Sequence, residues 1–143
     1  MKTSRSHLVE IIHGTWPDLV DGHQKPGNIY IPDNNFIMLP LETITEILRT
    51  TWFDQYKYIT EKFDCDDYAL ILNAFMKQES LKRESEYPYA FGEVWSTMLK
   101  GKKTSHAINI VVTDDEVIRL IEPQNDKIWM AEYDKDQIHY LRI

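Results

Sequence analysis

Two β-branched runs set close together constrain this chain more than any other feature. His106-Ala107-Ile108-Asn109-Ile110-Val111-Val112-Thr113 and Val117-Ile118-Arg119-Leu120-Ile121-Glu122 are separated only by Asp114-Asp115-Glu116. Runs of this composition around a short polar turn predict a β-hairpin. Tyr89 to Trp95 is aromatic and β-branched, and Lys127 to Tyr133 and Gln137 to Ile143 add two further expected strands. The later part of the chain therefore reads as antiparallel sheet.

The earlier part reads as helix and loop. Ser6 to His13 predicts a short helix with Leu8, Ile11 and Ile12 on one face, Ser6 as its cap and Gly14 as its end. Trp16 to Gly27 is loop-like, with Pro17, Gly22, Pro26 and Gly27 as breakers. Asn28 to Ile31 and Phe36 to Leu39 flank Pro32-Asp33-Asn34-Asn35, which suggests a small hairpin or two extended segments. Leu41, Ile44, Ile47 and Leu48 keep helical spacing, and an aromatic run follows at Trp52, Phe53, Tyr56 and Tyr58. That run reads as core and cleft wall rather than a binding platform. A second helix is expected from Cys65, with Tyr68, Ala69, Leu72, Phe75 and Met76 at three- and four-residue steps. Asp64 is its natural N-cap, and Asp66 and Asp67 suit the positive end of its dipole. Lys77 to Glu86 reads as the end of that helix and a loop. Helices followed by antiparallel strands give an α+β class, with the N-terminal helices packed on a C-terminal antiparallel sheet. The length fits a single domain over residues 1–143.

Charge and composition exclude several classes. Sixteen basic against twenty-three acidic side chains leave a formal charge of -7, so the broad basic face that nucleic acid requires is missing. Lys100-Gly101-Lys102-Lys103 reads as a short solvated basic loop. A single cysteine cannot form an internal disulfide and implies no oxidising compartment. The first residues are too polar for a signal-peptide core, and no run approaches the roughly 18 apolar residues of a membrane span. The expectation is a soluble, cytoplasmic protein with no nucleic-acid or membrane partner. No GxSxG, P-loop, GxGxxG or HExxH pattern occurs, and neither a metal nor a cofactor is expected.

Three polar residues stand at the edges of the expected elements: Cys65 at a helix start, His106 at a strand start and Glu122 at the end of the next strand. A helix N-terminus stabilises a thiolate, an imidazole serves it as base and then acid, and a third group fixes the imidazole tautomer. A tight hairpin would set His106 and Glu122 side by side. Asn109 is a second candidate orienting group, although its place three residues beyond His106 favours Glu122. Gln55 and Trp52 are the available upstream donors for an oxyanion, and spacing selects neither. His7, His13, His23 and His139 share no spacing and read as ordinary surface or half-buried residues.

The segments "DCDDYALILNAF", "GEVW", "SHAINIVV" and "IRLIEPQ", spanning residues 63–124, resemble the transglutaminase-like branch of the papain-like cysteine protease superfamily. The resemblance implies a papain-like (transglutaminase-like) fold with Cys65 as nucleophile, His106 as general base and acid, and Glu122, before Pro123, as the orienting acid. It implies a cysteine hydrolase or acyltransferase that acts on an amide or isopeptide bond of a protein or peptide substrate through a thioester. Hydrolysis and transamidation stay open. The alternative is a catalytically silent domain of that fold, serving as a binding or interaction module or a phage-type accessory protein. Glu122 in place of the usual Asp, Ile108 after His-Ala, and the acids flanking Cys65 favour this alternative.

Overall fold

The computed structural model describes residues 1–19 and 28–143. Among them the elements run β1 (Lys2–Ser4), α1 (Arg5–Thr15), β2 (Ile29–Tyr30), β3 (Asn35–Ile37) and α2 (Leu41–Leu48). A 3-10 turn (Phe53–Gln55) leads to α3 (Cys65–Lys82), and β4 (Phe91–Leu99), β5 (Lys102–Val112), β6 (Ile118–Glu122), β7 (Lys127–Met130) and β8 (Gln137–Arg142) follow. The main sheet has six strands in the order β2-β8-β4-β5-β6-β7, and β1 and β3 form a separate pair. The architecture of the described residues is mostly sheet with three α-helices.

Alternation along β5 explains how the sheet carries a core on each face. Ile108, Ile110 and Val112 join Leu8 and Ile12 of α1 in one buried cluster, together with Val94, Leu120 and Leu141. Val111 joins Ile44, Ile47 and Leu48 of α2 and Leu72 and Met76 of α3 in the other, with Phe91 and Ile121. A strand buried on both faces reads as a continuous apolar run, as this one does. Helix α1 thus covers one face, and α2 and α3 cover the other.

The main hairpin pairs Asn109 with Ile121 and Val112 with Ile118, antiparallel as expected. A second hairpin was hidden in the basic tetrapeptide. Lys100 and Gly101 both adopt positive φ, 50° and 75°, and form a two-residue turn of the I′ type between β4 and β5. Lys102 and Lys103 already belong to β5. Gly92 is required where β4 meets β8, because a Cβ there would collide with the Arg142 carbonyl.

Other expectations change. Helix α1 starts earlier, with Ser4 Oγ accepting the His7 N–H at 3.3 Å, and it runs through Gly14 to Thr15. Ser4, not Ser6, is therefore the cap. The small hairpin expected around residues 32–35 does not form. Ile29–Tyr30 pairs parallel with β8, whereas Asn35–Ile37 pairs antiparallel with β1. Both partners are remote in sequence, so local turn chemistry could not reveal them. Helix α3 continues through the polar stretch to Lys82, where Glu79 accepts from Lys82 and Arg83 and supports its last turn. Val20 to Gly27, including His23 and the breakers Gly22, Pro26 and Gly27, lie outside the described residues.

Candidate functional site

Helix α3 and strand β5 run side by side in the same direction. The Asn109 amide nitrogen donates to the Ala69 carbonyl at 2.8 Å and to the Gly92 carbonyl at 3.0 Å, which ties the first turns of α3 to the sheet. One turn further along α3, Asn73 donates to the buried Glu93 carboxylate at 2.5 Å. Leu72 and Met76 then meet Val111 in the shared core. The start of α3 therefore lies toward the part of β5 that precedes Asn109, so Cys65 and His106 lie at the same end of the layer. Strand β5 begins at Lys102, so His106 is inside the strand rather than at its start. Asn109 is fully buried and acts as this anchor, not as a partner of the imidazole.

At that end, His106 Nε2 and Glu122 Oε2 are 2.7 Å apart, with side chains 21% and 17% exposed. The hairpin register brings them together, and Glu122 Oε1 also accepts the Gln124 N–H at 3.3 Å. The Ser96 hydroxyl donates to the His106 carbonyl at 2.8 Å and fixes its backbone. Cys65 is free and half-buried at the first position of α3. Among the described residues no hydrogen bond joins its thiol to His106. Its neighbours are carboxylates: Asp64, Cys65 and Asp66 offer two oxygens and a sulfur within 4.8 Å of one another, a grouping able to hold a cation. A hydrogen bond between the Asp64 and Asp66 carboxyls holds Asp64 below the ordinary carboxylate range and Asp66 above it. The Asp64 N–H donates to Asp67 at 3.1 Å, so Asp67 serves the helix cap.

The segment in front of α3 holds what the sequence reading undervalued. The chain leaves helical geometry after α2, and in the 3-10 turn only Phe53 points into the core. Trp52, Tyr56 and Tyr58 are left 53%, 38% and 47% exposed. The rings of Trp52 and Tyr56 join those of Phe63 and Tyr68 in a connected shelf, and the exposed Tyr58 lies in the same segment. Trp52 meets Tyr56 edge-on at 5.2 Å, Tyr56 meets Phe63 at 5.2 Å, and Phe63 meets Tyr68 at 4.8 Å. The Tyr68 hydroxyl donates to the Tyr56 carbonyl and locks the shelf onto α3. Partial desolvation, then the charges of Asp64, Cys65 and Asp66, raise the Tyr58 phenol above its ordinary pKa, so Tyr58 borders the helix start. Gln55 is exposed at the end of the 3-10 turn, and neither it nor Trp52 contacts Cys65 through a described hydrogen bond. Burial, then the charge of Asp54, raises the Asp126 carboxyl in the β6–β7 turn, so that turn faces the same segment.

The comparisons with known proteins bear on this site. A family model described as "Ricin-type beta-trefoil lectin C-terminal domain" matches residues 24–140. No curated protein matches. Among solved structures, a PSL1a–E64 complex is similar at TM-score 0.77 and 16% identity, over 99% of this chain and 51% of that one. A Polyporus squamosus lectin bound to the epitope Neu5Acα2-6Galβ1-4GlcNAc is similar at TM-score 0.75 and 16% identity, over 99% and 49%. The chain thus spans about half the length of the solved chains it matches.

These findings correct three expectations. The transglutaminase-like or papain-like assignment gives way to the lectin C-terminal family. The expected papain-like fold gives way to the fold shared with the PSL1a and Polyporus squamosus lectin chains, here mostly sheet with three α-helices among the described residues. The cysteine hydrolase or acyltransferase, with its protease and catalytic-triad vocabulary, is overturned by the match to the ricin-type β-trefoil lectin C-terminal domain family. The physical reason lies in what carried the resemblance. A capped helix start and a hairpin with His and Glu at its ends are short local patterns, which helix-on-sheet domains of different kinds produce. Among the described residues, no helix is long and apolar enough to cross a membrane.

Proposed function

Because the chain belongs to the ricin-type β-trefoil lectin C-terminal domain family, we propose that it is a carbohydrate-binding lectin module that takes its ligand on the shelf of Trp52 and Tyr56 and the neighbouring Tyr58. The observation that carries the reading is the exposure of Trp52 and Tyr58, 53% and 47%, with Tyr58 next to the carboxylates of the α3 start. A pyranose has one face of C–H groups and a rim of hydroxyls. The face packs on an aromatic ring, and the hydroxyls donate charge-assisted bonds to carboxylates. Rings held by edge-on neighbours lose little freedom on binding, which lowers the cost of association. Asp64 and Asp66 supply acceptors at the near edge of the shelf. His106 and Glu122, paired through Nε2 and Oε2 at 2.7 Å, lie at the same end of the layer as Cys65. In this reading Cys65 is a half-buried member of the wall.

The Polyporus lectin was solved with Neu5Acα2-6Galβ1-4GlcNAc, which makes that trisaccharide and its neutral core Galβ1-4GlcNAc suitable probes. Titration calorimetry of either sugar should register binding, and Trp52→Ala should weaken it at least about tenfold, roughly 1.4 kcal/mol. Equal affinity in wild type and Trp52→Ala would contradict placement of the ligand on the shelf.

A further inference from the structure

The outer side of α3 carries apolar surface that no other element among the described residues covers. A groove of about 370 Å³ runs between the 3-10 turn and α3, walled by Trp52, Phe53, Ile71, Ala74, Phe75 and Gln78. Its α3 wall spans two turns, from residue 71 to residue 78, about 10 Å at a helical rise. The rings in it are braced, with Phe53 edge-on to Phe75 at 5.5 Å and tilted against Trp52 at 5.4 Å. Phe53, Ile71 and Phe75 also pack into the α2–α3 core, so the groove is formed before anything enters it. Ala74 is exposed and leaves the middle of the groove open, and Leu70, one turn earlier, is 52% exposed. A helix with one buried face turns polar residues outward, so Leu70, Ile71, Ala74 and Phe75 together mark a second, unpartnered face. The groove lies on the α2–α3 side of the sheet, whereas Leu19 and Ile29, before and after residues 20–27, are buried in the α1-side core.

The charge around the groove says what kind of partner fits. From Trp52 to Asp67 there are five acids, Asp54, Glu61, Asp64, Asp66 and Asp67, against Lys57 and Lys62. Asp54 stands in the 3-10 turn that forms one wall, and its charge reaches both Tyr68 and Asp126, so Asp126 adds a sixth acid at that end. Among the described residues none of Asp54, Asp66 and Asp126 has a cation partner. At the other end the cations are already engaged. Lys82 lies over the Phe75 ring at 5.5 Å and, with Arg83, is bound by Glu79, while Lys77 lines a separate hollow beside Ser80 and Leu81. We propose that the groove docks a cationic amphipathic helix of a partner protein, laid along α3. Apolar side chains three and four residues apart on that helix fill the space over Ala74, between the Trp52 and Phe75 rings. Its Lys and Arg residues meet Asp54, Asp66 and Asp126, which speeds encounter and fixes the orientation. An acidic helix of the same shape is repelled there. The inference shares Trp52 with the carbohydrate reading and does not rest on it.

The test is a fluorescence-anisotropy titration with three labelled synthetic peptides: an amphipathic helix of Leu and Lys, the same sequence with Glu for every Lys, and a Leu/Lys scramble without helical spacing. Wild type is compared with Ala74→Gln, which fills the groove without changing charge, and with Asp54→Asn, which lies outside α3. Thermal melts confirm that the variants fold. The Leu/Lys helix should bind at least about tenfold tighter than either other peptide, and Ala74→Gln should weaken it at least about tenfold. Asp54→Asn should weaken it about threefold, as loss of one exposed charge pair does. Ala74→Gln should leave Galβ1-4GlcNAc binding unchanged. No binding of the Leu/Lys helix, equal binding of the Glu peptide or the scramble, or binding that survives both substitutions would overturn the proposal. A dimer in sedimentation velocity that Ala74→Gln dissociates would also overturn it, because a second copy would then fill the groove. If the peptide fails while Galβ1-4GlcNAc binds through Trp52, only this inference falls.

Discussion

Arg119 shows how much one residue can decide. It is the second residue of β6, 9% exposed, where an unpaired guanidinium would be costly. Its Nη1 donates to Asp115 at 2.8 Å and to the Thr113 hydroxyl, and its Nη2 donates to Asp115 at 2.7 Å. The Arg119 fork, then the Thr113 hydroxyl, holds the Asp115 carboxyl well below the ordinary carboxylate range. The turn acid thus closes the hairpin by neutralising a cation inside it. Asp115→Asn should destabilise the fold by about 1–2 kcal/mol, the lower part of the range for charged hydrogen bonds because the Asp115 side chain is 51% exposed. Denaturant titration checks this. A depressed folded-state pKa gives stability that is complete above the unfolded value of about 3.9 and is lost as pH falls through the folded value. Wild type should therefore lose stability below about pH 4 more steeply than Asp115→Asn. From the sequence, Asp114-Asp115-Glu116 reads only as a polar turn, because the pairing with Arg119 depends on a strand register that no local pattern displays. His106 and Glu122 were legible for the opposite reason: a tight hairpin joins its two ends whatever the side chains do.

Among the elements, α1 depends on a contact across the molecule. His7 lies between Glu10 on its own helix, at 3.2 Å, and Glu116 in the β5–β6 turn, at 2.9 Å. The hydrogen bond to Glu116, then that to Glu10, raises the imidazole above its ordinary pKa. A raised folded-state value means that the ion pairs act fully below about pH 6.5 and are lost as pH rises through the folded value. An NMR titration should show His7 protonated above pH 6.5, and Glu116→Gln should move its midpoint down; an unmoved midpoint would exclude the contact. The β4–β8 pairing offers a harsher test. A methyl at Gly92 would press into the Arg142 backbone, so Gly92→Ala should cost at least about 3 kcal/mol or abolish folding. A thermal melt within a few degrees of wild type would contradict the register. The β5–β6 hairpin and α3 announced themselves through period and capping. The parallel β2–β8 pair and the β1–β3 pair did not, because each brings together short segments from distant parts of the chain.

For the whole molecule, the sheet is a partition: α1 on one face, α2 and α3 on the other, and an aromatic shelf left outside both cores. The shelf was misread from sequence because Trp52, Phe53, Tyr56 and Tyr58 look alike in composition. Only the 3-10 turn decides that Phe53 is buried and the others face water. The corrected assignment follows the same logic at larger scale. Short motifs located the helix start and the hairpin ends, whereas the family was found over residues 24–140. The most direct measurement is amide and indole chemical-shift mapping of the isotope-labelled chain titrated with Galβ1-4GlcNAc. The account predicts saturable shifts at the Trp52 indole, at Tyr58 and at Asp64 to Asp66. No saccharide-induced shifts there, or cleavage of a peptide that Cys65→Ser abolishes, would contradict it.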